Sequence, residues 1–189
     1  MSVTFNQPVR IYKYNNSSNN GTIAPDNTGA ARVSQQSFIN PITATTSGAV
    51  VLPTYDIGQT TATPFVLPAG SIIENVKFYE TTIPSALTGG VVTVNLLVTN
   101  PTTGAVTTTA IGTITPTATN GGIISISFAT TAAATALLAN IGTLDATIQF
   151  SQATISAITG SLAGTFTVEY TARNYDGSIT NVGQGYTNN

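Results

Sequence analysis

The 189-residue chain contains no cysteine, no histidine and no tryptophan, and only 6% of its residues are Asp, Glu, Lys or Arg. Without cysteine there are no disulfides, no thiolate nucleophile and no sulfur-ligated zinc, a composition compatible with a reducing cytoplasm. Without histidine the chain lacks the usual proton shuttle, the commonest metal ligand and the base of nucleophilic triads. Its many Ser and Thr hydroxyls are then poor nucleophiles, because none has a neighbouring imidazole to activate it. The charge content is far below the typical value of about 25%. Arg10, Lys13, Arg32, Lys77 and Arg173 are scattered along the chain, whereas a polyanion is held by clustered cations, so nucleic acid is not an expected partner. No apolar run approaches the roughly 18 residues of a membrane-spanning helix. The opening residues, MSVTFNQPVRIYKYNN, lack the apolar core of a signal peptide, so synthesis and assembly in the cytoplasm are expected.

What replaces the charges is Thr, Ser, Asn and Gly. A hydroxyl or amide is buried against a partner far more cheaply than an ion, and a net charge of −2 does little to keep copies apart. The composition therefore favours an exterior covered by neighbouring subunits. The length suits one domain, able to bury roughly 70% of its unfolded surface without disulfides or metals.

Two regions follow from the pattern. Residues 1–48 read as an N-terminal arm, extended or partly disordered, with one strand around Val9 to Tyr14 and a low-complexity stretch from Asn15 to Gly21. Residues 49–189 read as strands separated by turns. Val76 and Phe78 alternate with Asn75, Lys77 and Tyr79; Val92, Val94, Leu96 and Val98 share a side. Ile124, Ile126 and Phe128 oppose Ser125 and Ser127, Ala146, Ile148 and Phe150 oppose Thr147 and Gln149, and Phe166, Val168 and Tyr170 oppose Thr167, Glu169 and Thr171. Such period-2 alternation marks strands buried on one face. Turn signals lie at Leu67 to Gly70, Leu87 to Gly90, Asn100 to Gly104 and Asn120 to Gly122, the third reading as a hairpin loop. The Ala- and Leu-rich stretch from Thr131 to Asn140 predicts one short helix across an end of the domain. The expected fold is all-β, a jelly-roll-like antiparallel β-sandwich with an extended N-terminal arm.

The carboxylates are Asp26, Asp56, Glu74, Glu80, Asp145, Glu169 and Asp176. A glycosidase pair could be drawn from Glu74 or Glu80 with Glu169 if the strands that carry them are neighbours. The plainer reading makes these solvent-facing residues partnered by Lys77 or Arg173. No window holds the several carboxylates of a calcium loop, and Asp176-Gly177 reads as a turn. No catalytic, cofactor or metal site is expected. Tyr175 and Tyr186, in the Gly/Asn-rich tail, are the candidates for stacking a sugar.

Three segments carry a resemblance: Ala31 to Phe38, Phe65 to Val76 with its Pro68-Ala69-Gly70 turn, and Gly164 to Tyr170. Together they resemble the β-sandwich of small virion structural proteins of tailed bacteriophages, the head decoration (cement) proteins and related head or fibre subunits. The resemblance spans most of the chain through short motifs that encode turns and strands, and it brings no catalytic residues. It implies a homo-oligomer, dimer or trimer, seated on the major capsid protein at the virion surface, made in the host cytoplasm, with an arm reaching a neighbour. A glycan-binding fibre-tip module and a β-sandwich subunit of a bacterial surface appendage are the alternatives.

Overall fold

A computed structural model describes residues 31–119 and 121–172. The expected strand at 9–14, most of the arm, Arg173, Tyr175, Asp176 and Tyr186 lie outside the described residues.

In chain order the strands are β1 (Ala31–Ile39), β2 (Val50–Leu52), β3 (Thr54–Tyr55), β4 (Phe65–Leu67), β5 (Ile72–Thr82), β6 (Ala86–Gly89) and β7 (Val92–Thr99). They continue with β8 (Val106–Ile114), β9 (Ile123–Ser125), β10 (Ser127–Phe128), β11 (Ala146–Gln152), β12 (Ile155–Thr159) and β13 (Ala163–Ala172). Among the described residues one helix, α1 (Ala132–Ala139), precedes β11. The fold is an all-β sandwich of antiparallel strands. One sheet has five strands in the order β3-β1-β13-β5-β9; the other has six, in the order β10-β8-β7-β11-β2 with β4 also paired to β11. β12 and β6 form a small ribbon.

The alternating runs become strands because their inward positions are apolar and β-branched or aromatic. Val92, Val94 and Leu96 of β7 and Ala146, Ile148 and Phe150 of β11 are all buried. At the centre four phenyl rings run from sheet to sheet. Phe65 meets Phe150 edge-on at 5.7 Å, Phe150 stacks on Phe166 at 3.8 Å, and Phe166 lies 4.7 Å from Phe78. These rings come from β4, β11, β13 and β5, so they bind the two layers through the largest apolar side chains present. Gly164 makes this approach possible: a Cβ there would lie 2.5 Å from the Phe78 ring and 2.3 Å from the Tyr79 carbonyl oxygen.

Asn100 closes the β7–β8 hairpin as expected, its Oδ1 accepting the Thr102 and Thr103 N–H groups at 2.9 and 3.1 Å, with Gly104 at φ 69°. The short helix also forms where Ala and Leu cluster, with the Thr131 hydroxyl accepting the Ala134 N–H as N-cap.

Two expectations need correction. Residues 31–39, assigned by composition to the arm, form β1, an inner strand paired with β13 and β3. The sandwich therefore begins by residue 31, not at 49. β1 escapes a hydrophobicity reading because two of its inward residues are polar. Gln35 donates from Nε2 to the Tyr170 hydroxyl at 2.8 Å and to the Val66 carbonyl at 2.9 Å. The Ser37 hydroxyl donates to Asp56 at 3.2 Å. The second correction concerns residues 122–129, read as one strand. The chain leaves the five-stranded sheet after β9 and joins the six-stranded sheet at β10, crossing at the buried Ile126.

Candidate interaction surfaces

The carboxylates are the side chains with the most chemical potential in a chain without histidine or cysteine. β5 and β13 are neighbours, the condition for an acid pair, yet Glu80 and Glu169 are not brought together. Glu80 stands opposite Gly164 and points inward, whereas Glu169 stands opposite Asn75 and points outward. Five residues along β13 separate these positions, about 17 Å, well beyond the roughly 5–9.5 Å of glycosidase pairs. Glu169 is ion-paired with Lys77 at 2.6 Å. Glu74, the extra residue at a bulge in β5, shares the outward face with Glu169 and accepts the Thr171 hydroxyl. Asp145 accepts the Ala69 N–H at 2.9 Å and holds the turn into β5.

Glu80 is buried, and its Oε1 accepts the Thr117 N–H at 3.0 Å. Burial raises its pKa above the ordinary 4.5, opposed by hydrogen bonds from the Thr117 backbone and side chain. Its work is to tie the segment after β8 to β5. Tyr170 is likewise pushed up by burial, against the hydrogen bond with Gln35. Among the described residues no group of three or more Asp or Glu side chains is placed to hold a metal ion, and no helix is long and apolar enough to cross a membrane.

The two outer faces of the sandwich offer more. On the five-stranded sheet one ladder row runs Tyr55, Phe38, Thr165, Tyr79, Ile123 across all five strands. Phe38 and Tyr55 pack at 5.7 Å, and Ile123 is 61% exposed. Beside Tyr55, the turn closed by the Gln59 N–H on the Asp56 carbonyl carries Ile57 at its tip, 95% exposed. The next row holds Gln36, Lys77 and Ser125 around a buried Thr167, and the one after it Ser34, Glu169 and Asn75. An aromatic and aliphatic ledge thus borders a band of amides, hydroxyls and one ion pair.

The six-stranded sheet differs in kind. None of its strands contains an Asp, Glu, Lys or Arg. Its outer rows are Ser127-Thr113-Thr93-Ser151-Val51, then Ala110-Asn95-Gln149, then Thr108-Leu97-Thr147-Val66. The row nearest the hairpin is Val106-Thr99. Val51, Val66 and Val106 are 52%, 45% and 54% exposed.

Neither face is visible in the sequence taken alone. Alternation did place Tyr79 on the polar side of its strand, which was the available signal. Phe38, Tyr55 and Ile123 join it only through strand pairing across large sequence separations. No protein-family model matches the chain, and no curated protein or solved structure does either.

Proposed function

We propose that this chain is a non-enzymatic virion structural protein, a capsid decoration or cement protein that stabilises a phage head by bridging capsid subunits. The observation that carries the reading is the Tyr55-Phe38-Tyr79-Ile123 ledge with Ile57 beside it. Ile57 and Ile123 are exposed and the three rings half-buried; apolar groups gathered at the surface mark contact sites, and interface centres are enriched in aromatics. The absence of histidine and cysteine, the separation of Glu80 from Glu169, and the engagement of Glu74 by Thr171 and of Glu169 by Lys77 support a role without catalysis. The major capsid protein is the proposed partner of the ledge, with its stabilisation coming from apolar burial.

The test is to purify heads and assay them for the protein, then to heat heads assembled with and without it. Decorated heads are expected to carry many copies and to survive higher temperature and lower salt. Absence from heads, or equal resistance without the protein, refutes the reading.

A second reading shares the same ledge, since rings on an open sheet also stack sugars. In that fibre-tip role a glycan array gives a hit that Tyr79→Ala abolishes, and heads do not retain the protein.

A further inference from the structure

We infer that the outer face of the six-stranded sheet is a homodimer interface, covered in solution by the same face of a second copy of this chain. The inference deepens the assembly-subunit reading above, and rests on it for why copies associate at all.

Three physical arguments converge on a second copy as the occupant. The first is charge. Two identical faces meet about a two-fold axis, so residue i of one copy meets residue j of the other and j meets i. Every charge on such a face is buried twice, and a face holding charge of one sign opposes its own copy, which is costly. This sheet has no ionisable residue in any strand, so the conflict never arises. The opposite sheet, with Lys77 and Glu169 on its outer face, has no such freedom.

The second is self-complementarity. Hydroxyls and amides both donate and accept, so Thr108, Thr147 and Gln149 can pair with whichever of these groups the two-fold axis sets opposite them. Leu97, Val66 and Val51 on the same face supply apolar surface to bury. An acidic or basic partner would find no counter-charge here. A partner that docks through an aromatic anchor is better served by the ledge on the other sheet.

The third is size. Five strand columns at about 4.8 Å and some seven residues at about 3.4 Å make a face of about 600 Å², or 1,200 Å² for two copies. That reaches the lower end of specific interfaces at about 1,200 Å² in total. Sheets packing face to face about 10 Å apart at roughly −30° fill such an area with interdigitated side chains. A dimer of this size and composition is expected to dissociate in the micromolar range.

Velocity sedimentation of the purified full chain over a dilution series tests this. The expected result is a species of twice the 19.3 kDa chain mass at high concentration, falling to monomer on dilution. Thr108→Lys and, separately, Gln149→Lys should weaken the dimer at least about tenfold by burying an ammonium from each copy against a face that offers no counter-charge. Gln36→Lys, on the other sheet, should leave it unchanged, and circular dichroism melts should show all three variants folded. A wild-type chain still monomeric at about 100 μM, where micromolar affinity requires association, overturns the inference. So does a trimer, or a dimer that both face variants leave intact. A dimer that ignores heads refutes the capsid reading alone; a monomer that binds heads refutes this inference alone.

Discussion

The outer face of the five-stranded sheet carries rings, a lysine and two glutamates, while the outer face of the six-stranded sheet carries Thr, Ser, Val and a few amides. Both sheets are antiparallel and the same phenyl core lies beneath both. The difference is therefore not dictated by folding. A sheet face left to water ordinarily alternates apolar-in with polar-out and takes Lys or Glu freely. The six-stranded face takes neither. Its hydroxyls satisfy water, yet give up hydration at far lower cost than ions do. The two faces are suited to different neighbours: a ringed ledge for a foreign subunit, a neutral face for a copy of itself.

The comparison breaks most severely if the shared core fails. Phe166→Ala removes the ring that stacks on Phe150 and touches Phe78, and should lower stability by about 3–5 kcal/mol. Both surfaces should be lost together, as read by chemical denaturation and by head binding. Gly164→Ala pushes the Phe78 ring and the β5 backbone away from β13, and should cost about 1–3 kcal/mol by overpacking. Because Gly164 lies in the five-stranded sheet, the ledge should suffer before the dimer does.

A smaller effect separates the faces by salt. Glu169→Gln breaks the ion pair with Lys77, a partly exposed contact worth less than about 1 kcal/mol. Its penalty should shrink at high salt, whereas dimerisation through the charge-free face should hardly depend on salt at all.

Glu80 provides the pH-dependent test. Its carboxyl has a raised pKa in the folded chain and titrates near the ordinary 4.5 when unfolded. Below the unfolded value both states are protonated and the full stabilising contribution is present. It is lost as pH rises through the folded pKa, because the unfolded state releases the proton first. Glu80→Gln should remove this dependence. It should stabilise the fold at neutral pH, where the wild-type carboxylate must carry its charge in a buried place. Melting curves between acid and neutral pH, wild type against variant, measure it.

These surfaces were only partly legible in the sequence. Val92 to Val98 and Ala146 to Phe150 announced themselves because every inward position is apolar. β1 did not, since Gln35 and Ser37 point inward and owe their hydrogen bonds to Tyr170, Val66 and Asp56, partners that only the fold supplies. The crossing at Ile126 was hidden for a different reason. Alternation continues unbroken through residues 123–128 although the hydrogen-bonding partner changes from β5 to β8. Alternation tells which side of a strand a residue takes, but the rows come from register. The ledge of Tyr55, Phe38, Tyr79 and Ile123 therefore existed in no window of the chain.

The central claim is that the two faces serve different partners, and co-sedimentation of Ile123→Lys and Thr108→Lys with purified heads tests it most directly. The account predicts that Ile123→Lys, at the end of the ledge, loses head binding, whereas Thr108→Lys still binds as single copies. Equal loss in both variants, or loss only in Thr108→Lys, would contradict it.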